Sequence, residues 1–379
     1  MAKSVVVVGG GIGGLAAAAG LHRRGWDVRV LEQADEFTEI GAGISLWPNA
    51  FRALEVIGAE VADGKLGAVG GLRDWRGRWI VRMDDDPVAA AQAAGAVVAH
   101  RSELLSALLA RVPAECRQAG VRVGGVRVEG GRAVVEHDQG EMAADLVVGA
   151  DGLRSAVRAA RWPDAHQPRY SGRSVWRMVL PRPLGLGVQT WAETWGPGSV
   201  FGMFPMLGDR LYCYGTATVP PGGASPDGEL AELRRRFADW CDPIPTVLAV
   251  AQEEQVLRND VYYLPSLPSY VSGPVALLGD AAHAMTPNLG QGGCQALEDA
   301  AILSLCLESG DLAEGLRRYD RMRRPRTQAL ARKARLTGNV AQLPWASARA
   351  VRDTALRAMP RSIFVKSLAA PLNWRPVLT

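Results

Sequence analysis

The sequence predicts an α/β protein in which a parallel sheet flanked by helices is joined to a mixed or antiparallel sheet and to C-terminal helices. Three observations predict this class. A strand, a glycine loop, a helix and a second strand follow one another within residues 4–32. Buried-strand patterns return at 145–150 and 275–278, and short alternating runs fill 170–270. Strands separated by helices form parallel sheets, whereas clustered alternating strands form antiparallel ones.

The first elements are predicted from residue type. Residues 4–8 (SVVVV) form a continuous β-branched run, which is typical of a strand buried on both faces. Residues 15–24 are good helix formers that end in cations, which suit a helix C-terminus, and Gly25 then ends the helix. Residues 26–32 form the second strand, so the segment is a βαβ unit.

The following elements are predicted from hydrophobic periodicity and turn residues. Helices are expected at 51–57, 101–111, 228–241, 295–309 and 311–333. Strands are expected in a hairpin at 67–83 and at 121–128, 132–137, 145–150, 174–180, 189–195, 199–205, 210–219 and 275–278. From 338 onward the pattern weakens into a basic tail that is helical in part.

This element order predicts two domains, the first of them discontinuous. Residues 1–70, 96–170 and 270–335 are assigned to the parallel-sheet domain. Residues 71–95 and 171–269 are assigned to the antiparallel sheet, and 336–379 to the C-terminal helical tail.

Composition excludes several classes of function. Lys and Arg (43) nearly balance Asp and Glu (39), which leaves a net charge of +4 and no nucleic-acid footprint. Five dispersed cysteines without CxxC and five dispersed histidines without HExxH predict neither a disulfide framework nor a metal site. The uncharged run 5–21 carries five glycines within 9–14, so it suits neither a signal peptide nor a membrane span. A cytoplasmic protein without stable membrane insertion is expected.

The first motif is Gly9-x-Gly11-x-x-Gly14, between the first strand and the first helix. Such glycines allow a tight turn, close approach of a pyrophosphate and close helix–strand packing, in that order. Glu32 follows Gly11 by 21 positions, where an acid accepts ribose hydroxyls and disfavours a 2′-phosphate. The motif predicts a Rossmann-like site for FAD or NAD, and the alternative is a packing turn. The predicted contacts also include Ile12, Gly13 and Gln33.

The second motif is a buried strand that ends in Asp151-Gly152, after which Arg154 and Ser155 open a helix. The alternative is a plain strand–turn–helix in which Asp151 caps the helix.

The third motif runs from Gly279-Asp280 to Gly293 and contains Pro287, Asn288 and further glycines. Asp280 can accept hydrogen bonds from a sugar chain. The backbone N–H groups of 290–293 can face an electron-rich ring edge. The alternative is an Asp-capped loop.

Together the three motifs resemble those of the FAD-dependent aromatic hydroxylases, the single-component flavin monooxygenases related to p-hydroxybenzoate hydroxylase. The resemblance covers residues 1 to about 335. It includes GAGISLWPN at 41–49, Arg101-x-Glu-Leu-Leu and Tyr319-x-x-x-Arg323-Arg-Pro325. It implies a Rossmann-like FAD-binding domain covered by a substrate-binding sheet.

The resemblance also implies roles for matching residues. The glycine loop would hold the FAD pyrophosphate, Glu32 the adenosine ribose, Arg101 the flavin linker and Asp280 the ribitol. Asp151 and Arg154 match a motif associated with FAD and nicotinamide handling. The remaining cofactor contacts predicted are Gly43, Pro287, Leu289, Gly290, Gln291 and Gly292.

The implied reaction follows from the cofactor. No metal site is predicted, so O₂ activation must come from the flavin. By resemblance, NADPH or NADH reduces FAD, O₂ adds at the flavin C4a, and the hydroperoxide hydroxylates a small aromatic or heteroaromatic substrate. The protein must exclude water and orient the ring. Because a phenol reacts better as phenolate, a proton acceptor is useful.

Catalytic candidates come from the sheet and from the third motif. Tyr212 and Tyr214 share one strand face by the period of two, although tyrosines in sheets are usually core or surface residues. His283 lies three positions after Asp280, although such a residue often only hydrogen-bonds locally. The predicted pocket consists of Trp47, Trp195, Val200, Met203, Phe204 and Asn288, with Phe201 beside Met203.

The nearest subgroup by resemblance is the urate hydroxylase-like flavoproteins, through GAGISLWPNA and TPNLGQGGCQALEDA. Their pocket uses an arginine on the lid strand and an aspartate after Thr-Pro, which match Val200 and Asn288 here, and Tyr212 matches their lid tyrosine. Because this chain lacks that arginine and that carboxylate, we expect its substrate to be a more apolar aromatic than urate.

Of three alternative hypotheses for the function, the sequence leaves two open. A flavin halogenase would carry Trp-x-Trp-x-Ile-Pro, but Trp191 and Trp195 stand four apart. An epoxidase or other oxygenase on the same scaffold stays open, since fold does not fix substrate. So does a non-oxygenating flavin- or NAD-binding protein. A monomer or homodimer is expected, and the basic stretch 349–366 is read as a solvated helix rather than a membrane or partner surface.

Overall fold

The computed structural model describes residues 2–38, 41–61, 69–83, 96–182, 191–308 and 310–377. The expected α/β class is confirmed, with a five-stranded sheet and a seven-stranded sheet as its two largest layers among these residues. The predicted segments 62–68, 84–95 and 183–190 lie outside the described residues.

The predicted βαβ unit is present as β1 (Ser4–Val8), α1 (Ile12–His22) and β2 (Asp27–Leu31). Four of the five residues of β1 are buried, because neighbouring strands and helices cover both faces. The other strands of this sheet are β7 (Arg117–Gln118), β11 (Leu146–Gly149) and β17 (Val275–Leu277). All pairings in the sheet are parallel, and the order is β17-β11-β1-β2-β7.

This strand order decides where the three motifs meet. β1 lies between β11 and β2, and β17 follows β11. The glycine loop follows β1, Asp151-Gly152 follows β11, and Gly279-Asp280 follows β17. Because parallel strands share one carboxyl edge, all three loops lie at the same edge, where ligands of open α/β sheets bind.

Further elements surround this sheet. The helices are α2 (Pro48–Ile57), α3 (Arg101–Leu109), α4 (Ala156–Arg161), α7 (Asp280–His283) and α8 (Gly292–Cys306). A two-stranded sheet pairs β3 (Gly43–Leu46) with β6 (Val97–His100), and a three-stranded sheet holds β8 (Val123–Glu129), β9 (Arg132–His137) and β10 (Gly140–Ala144). The sequence analysis did not predict β3, β6, β7 and β10, which are two to five residues long.

The seven-stranded sheet, here called the lid sheet, has the order β16-β12-β15-β14-β13-β4-β5. Its strands are β4 (Val69–Asp74), β5 (Trp79–Arg82), β12 (Arg169–Pro181), β13 (Trp191–Gly196), β14 (Ser199–Met206), β15 (Arg210–Thr218) and β16 (Leu257–Tyr263). One face packs on α5 (Glu229–Phe237) and α6 (Ile244–Val250) through Phe201, Leu233 and Phe237. The sequence predicts a single helix at 228–241. In the structure α5 is followed by a second helix, α6, which the sequence prediction missed.

The C-terminal helices are α9 (Leu312–Ala341), α10 (Ala346–Ala358) and α11 (Arg361–Ala369). The prediction that the first of them ends at 333 is wrong, because the helix continues through Gly338. A Cβ at Gly338 would stand 2.6 Å from the side-chain oxygen of Asn288, so this glycine lets the helix lie close to the third motif. Among the described residues, no helix has the length and apolarity needed to cross a membrane.

Candidate active site

The glycine loop has a separate structural reason for each of its three motif glycines. Gly9 has φ +104°, and a Cβ there would stand 2.8 Å from the carbonyl carbon of Ala150. A Cβ on Gly14 would overlap the carbonyl oxygen of Gly9, so only glycine lets α1 pack this close to β1. A Cβ on Gly11 would meet nothing within 4 Å. The backbone at Gly11 therefore faces open space, which suits a bound pyrophosphate.

Glu32 lies beside this loop at the end of β2. Its carboxylate accepts hydrogen bonds from the backbone N–H of Gly10 at 2.6 Å and of Ala34 at 2.8 Å. The neighbouring Gln33 is exposed, and its side-chain oxygen accepts a hydrogen bond from Arg122 at 2.9 Å. Glu32 thus fixes the loop conformation at the position expected for the ribose end.

The second motif is organised by Asp151. Its carboxylate accepts hydrogen bonds from the Ser155 hydroxyl at 2.5 Å and from the backbone N–H of Val157 at 3.1 Å. Burial raises the pKa of Asp151, although these two donors oppose that effect. The side chain that caps α4 is Ser155, which accepts from the Arg158 N–H at 2.9 Å. Asp151 therefore holds the cap in place rather than being the cap.

Two arginines of this segment have different environments. Arg154, which the sequence analysis assigned to cofactor handling, is exposed and lines a separate recess of about 380 Å³ together with Trp162 and Tyr262. Arg158 is buried and donates to the carbonyls of Leu153 at 2.6 Å and Ala281 at 2.8 Å. Arg158 thus ties the second motif to the third, and the sequence analysis missed it.

The third motif places Asp280 on the surface of the cavity, but it buries His283. His283 Nε2 lies 2.5 Å from the Asp299 carboxylate, which also accepts from the Gly279 N–H at 3.0 Å. His283 is not among the residues that line the cavity. The structure therefore corrects the catalytic assignment of His283, since its ring is held in a buried pair.

The His283–Asp299 pair continues into a buried network of charges between α8 and α9. Arg323 donates to Asp299 at 2.6 Å and to Glu298 at 2.5 Å, and Arg326 donates to Glu298 at 2.8 Å. Burial alone raises the pKa of Asp299, but His283 and Arg323 hold it below its ordinary value. The network reaches the glycine-rich loop because Asn49 donates both to Glu298 and to Gln291.

The glycine-rich loop itself is a short 3₁₀ turn (Pro287–Leu289) followed by Gly290 with φ +59°. A Cβ on Gly292 would meet nothing within 4 Å, so its backbone is open on one side. Two buried donors beside the loop, Trp47 Nε1 and Gln291 Nε2, have no protein acceptor. Buried donors without acceptors are rare, and they fit a polar ligand at this position.

One cavity of about 860 Å³ joins the three motifs to the lid sheet. Its volume falls within the range usual for ligand and cofactor sites. Predicted residues on its wall are Gly11, Ile12, Gly13, Gly43, Trp47, Arg101, Trp195, Val200, Phe204, Tyr212, Tyr214, Asp280, Pro287, Asn288, Leu289, Gly290, Gln291 and Gly292. The predicted residues that do not line the cavity are Gly9, Gly14, Glu32, Gln33, Asp151, Arg154, Met203 and His283.

The lid sheet shows why Met203 is not on that wall. Val200 and Phe204 of β14 line the cavity, whereas Phe201 and Met203 pack in the core beneath α5 and α6. Successive side chains of a strand point to opposite faces, so odd and even positions separate. The prediction that Met203 and Phe201 line the pocket is therefore wrong, and Val200 and Phe204 are on the cavity wall.

Tyr212 and Tyr214 both line the cavity, as their spacing on β15 predicts. Their ring centroids are 6.0 Å apart, and the Phe204 ring stacks on Tyr214 at 5.8 Å. The Tyr212 ring also packs on β3, since a Cβ on Gly43 would stand 2.6 Å from it. Burial raises the pKa of Tyr212, and the guanidinium of Arg177 partly opposes this.

Glu193 on β13 is a functional candidate that the sequence analysis missed. Its carboxylate opens on the cavity and accepts hydrogen bonds from the Tyr214 hydroxyl and, at 3.0 Å, from Trp195 Nε1. Burial raises the pKa of Glu193, and the two donors only partly offset this. The available signal was an acidic residue at an inward position of the strand WAETWG, two residues before a predicted pocket tryptophan.

Fold and site together define a class. A dinucleotide-type cradle lies at the carboxyl edge of a parallel sheet, and an aromatic-lined cavity lies between this cradle and a lid sheet. These features fit the class of flavoprotein monooxygenases.

The comparisons with known proteins agree. A family model described as "FAD binding domain" matches residues 2–334, and the chain belongs to that family. The chain is 37% identical over 362 residues to aurachin C monooxygenase/isomerase of Stigmatella aurantiaca, with 94% of each chain covered. It is 34% identical over 368 residues to 3-amino-4-hydroxybenzoate 2-monooxygenase of Streptomyces cremeus, covering 93% of this chain and 91% of the relative.

A solved structure is similar over nearly the whole chain. Klebsiella pneumoniae HpxO in complex with FAD and uric acid superposes with a TM-score of 0.90 at 29% identity, covering 98% of this chain and 96% of that one. The chain is accordingly an FAD-dependent monooxygenase that uses NAD(P)H and O₂ to hydroxylate an aromatic or heteroaromatic substrate.

Proposed function

We propose that the substrate is a neutral, largely apolar aromatic ring with an ionisable hydroxyl or ring N–H, and that Glu193 accepts its proton. The observation that carries this proposal is the Glu193–Tyr214 pair on the cavity wall, surrounded by Trp195, Val200 and Phe204. A carboxylate whose pKa is raised by burial is a stronger base than an ordinary carboxylate, which suits a proton acceptor. Removing the ring proton raises the electron density that the oxygenation needs.

We further propose which residues hold the cofactor. When bound, FAD takes a hydride from NAD(P)H and activates O₂. The open backbone at Gly11 would receive the pyrophosphate, and Glu32 lies at the ribose end. Asp280 would bind the ribitol, and the loop 289–292 with Trp47 would bind the flavin ring. Arg101 lines the same cavity and would bind the linker.

The domain division is proposed on the same basis. Residues 1–70, 96–170 and 270–335 would hold the cofactor, while 71–95 and 171–269 would bind the substrate, with 84–95 outside the described residues. The three cofactor motifs fall in the first set, and the aromatic wall of Phe204, Tyr212 and Tyr214 falls in the second. Arg154, on its separate recess, is proposed to contact the nicotinamide dinucleotide.

Two residues of the cavity wall argue against urate as the substrate. Val200 and Asn288 both line the cavity, at positions that match an arginine and an aspartate in the urate-type pocket. An apolar valine removes a cation and an amide removes an anion, so a polar purine would leave its own polar groups without partners. A less polar ring avoids that cost.

The test is a screen for substrate-dependent NAD(P)H oxidation coupled to O₂ uptake. We expect phenols and neutral N-heteroaromatics to stimulate oxidation and to gain one oxygen atom from ¹⁸O₂, detected as a product mass shift. NMR of the product separates a hydroxyl from an epoxide. Robust urate-dependent oxidation that yields an oxygenated product would overturn the substrate class.

We propose that the protein is cytoplasmic and that it is a monomer or a homodimer. All five cysteines are free thiols, four of them buried, which suits a reducing compartment. Light scattering of the purified, FAD-loaded protein measures the assembly, and a larger oligomer would contradict this proposal.

A further inference from the structure

The cavity extends beyond the aromatic wall to the C-terminal helices. On α9, Lys333, Leu336, Thr337, Val340 and Ala341 line it. These residues are spaced i, i+3, i+4, i+7 and i+8, which places them on one face of the helix. Residues of α10 and α11 complete the wall, among them Leu356, Ile363, Phe364 and Leu368.

The outer part of this wall exposes large apolar side chains. Leu336 is 60% exposed, Ile363 54%, Val340 44% and Met359 36%, and all four line the cavity. They stand on or at the ends of three different helices, so the exposure is not a single stray side chain. Clustered exposed apolar surface beside a cavity marks a binding surface more often than a scattered residue does.

The exposed residues connect to the aromatic site through a continuous apolar wall. Trp195 and Val200 of the lid sheet belong to one cluster with Leu356, Phe364 and Leu368 of the C-terminal helices. Tyr214 packs against this cluster and also against the cluster that holds Phe204 and Tyr212. An apolar path therefore runs from the Tyr214 ring to the molecular surface.

Charge along this path is nearly absent. Of the described residues on the C-terminal helices that line the cavity, Lys333 alone is charged, and its Nζ donates to the Ser367 carbonyl at 2.5 Å. Burial lowers the pKa of Lys333, and its Nζ already has an acceptor in the Ser367 carbonyl. The path suits a ligand group that needs no polar partner.

We propose that this apolar channel binds a hydrocarbon chain attached to the aromatic substrate, with the ring at Tyr214 and the chain directed towards Leu336 and Ile363. Because this inference rests on the proposed function, its test measures binding rather than turnover. The channel gives an aliphatic chain a wall on the lid sheet and a wall on α9 and α11. The substrate class is accordingly an alkyl- or alkenyl-substituted aromatic.

The test compares phenol with 4-propyl-, 4-pentyl- and 4-heptylphenol on the FAD-loaded protein without NAD(P)H. Dissociation constants from titration calorimetry should fall with each added methylene, by at most about fourfold when the methylene is fully buried. The heat-capacity change of binding should become more negative along the series. Dissociation constants that do not depend on chain length would overturn the channel.

Two substitutions place a carboxylate in the channel. Leu336→Glu and Ile363→Glu should each reduce the ratio of the phenol to the heptylphenol dissociation constant about tenfold, because a hydrated carboxylate replaces apolar surface that the chain would contact. Val351→Glu is the matched control, since Val351 lies on α10, is 70% exposed and does not line the cavity. The flavin absorbance and melting temperature of each variant establish that it is folded.

Several results decide against the channel. Equal effects of all three glutamate variants would overturn it, since Val351 lies off the path. A ratio that stays unchanged while Leu336→Glu alters self-association or binding to phosphatidylcholine vesicles would overturn it as well. Turnover of phenols with no dependence on chain length would leave the proposed function standing and remove the channel. Dissociation constants that fall with the length of the hydrocarbon chain, without turnover, would support the channel and contradict the proposed function.

Discussion

Glu193 stands on a strand of the lid sheet, where its carboxylate is flanked by the Tyr214 hydroxyl and the Trp195 indole. Burial raises the pKa of Glu193, and it raises the pKa of Tyr214 well above the ordinary value, with the Glu193 charge adding to that effect. The tyrosine therefore keeps its proton, and the carboxyl is the member of the pair that titrates. This ordering supports the proposal that Glu193 accepts the substrate proton and that Tyr214 orients its carboxylate.

Replacing Glu193 by Gln keeps the shape of the side chain and removes the titration. We expect kcat to fall by about 10²–10⁴-fold, the range typical of a lost general base. The rise of kcat with pH through the Glu193 pKa should disappear, because no carboxyl remains to ionise. The measurement is kcat between pH 5 and 9 on the best substrate of the screen. A variant with an unchanged pH profile would remove Glu193 from the mechanism.

The same carboxyl affects stability. Because its pKa is raised in the folded state, its contribution to stability is complete below the unfolded pKa and is lost as pH rises through the folded pKa. Glu193→Gln should therefore gain in melting temperature relative to the wild type as pH increases. A difference that stays constant with pH would contradict this assignment.

Tyr214→Phe tests the orienting role. The Tyr214 hydroxyl lowers the pKa of Glu193 by donating to it, so its removal should move the pH profile of kcat to higher pH. Tyr212→Phe is the control, since the structure records no bond from Tyr212 to Glu193, and its profile should keep its midpoint. Equal shifts in both variants would indicate a general change of the cavity instead.

Residue assignments succeeded where spacing alone decides. The period of two places Tyr212 and Tyr214 on the cavity, and it also explains why Met203 is absent from it once Val200 is known to be there. Glu193 and Arg158 were missed because Tyr214 and Ala281, which they contact, are distant in sequence. His283 was misread because Asp299, 16 residues away, buries it in a pair.

At the scale of elements, α8 and α9 are joined by the buried charges around Arg323. This arginine bridges Glu298 and Asp299 and lies beneath the glycine-rich loop, which it reaches through Gln295 and Asn49. Removing one partner of a buried pair leaves the other charge without compensation. The network thus couples the position of the loop to the stability of the helix pair.

Arg323→Met should lower the free energy of unfolding by about 3–5 kcal/mol. Arg324→Met is the matched control on the same helix, because Arg324 is partly exposed and pairs with Asp320, where a surface pair contributes about 0–1 kcal/mol. Urea denaturation of both FAD-loaded variants measures the difference. FAD should also dissociate faster from Arg323→Met, and similar losses in both variants would argue against the network.

The helix that follows the second motif offers another matched pair. Arg158→Ala should weaken FAD binding, because it leaves the carbonyls of Leu153 and Ala281 without their shared donor. Arg154→Ala should leave FAD binding within about twofold and raise the KM for NAD(P)H, in line with its separate recess. Fluorescence titration with FAD and steady-state kinetics test the two variants. Loss of FAD from Arg154→Ala alone would reverse the assignment.

Elements with a strong period were predictable, and those that depend on tertiary contacts were not. β1 and α1 follow from SVVVV and the glycine loop, which need no partner to be recognised. The predicted end of α9 at 333 was too early, because the helix continues through Gly338, where a glycine permits close approach to Asn288. The short strands β3 and β6 form only because they pair with each other.

At the scale of the whole molecule, the cofactor cradle depends on three loops that are distant in sequence. FAD binds only when these loops meet, so it should stabilise the folded protein over the unfolded chain. At a free FAD concentration 100 times the dissociation constant, the expected gain is about 2.7 kcal/mol. Thermal unfolding of the protein with and without excess FAD tests this, and equal melting temperatures would contradict it.

The overall architecture was predictable because three motifs in a fixed order specify one sheet topology. The order places 9–14, 151–155 and 279–293 at one edge, and the five-stranded sheet confirms it. The extent of the cavity was not predictable, because a substantial part of its wall comes from C-terminal helices whose sequence shows only a weak, basic pattern. Helix packing against the lid sheet, not local sequence, produces that wall.

The helix α9 spans 30 residues and is therefore about 45 Å long. Near its middle Arg323 and Thr327 face the buried charges, and towards its end Leu336 and Val340 face the cavity. Since each residue turns the helix by about 100°, the number of residues between the two regions fixes the angle between the directions that they face. Deleting one residue between Thr327 and Lys333 would turn the distal face by about 100°, away from the cavity, whereas inserting seven there would nearly keep its direction. The number of residues between the two regions is therefore constrained together with their identity.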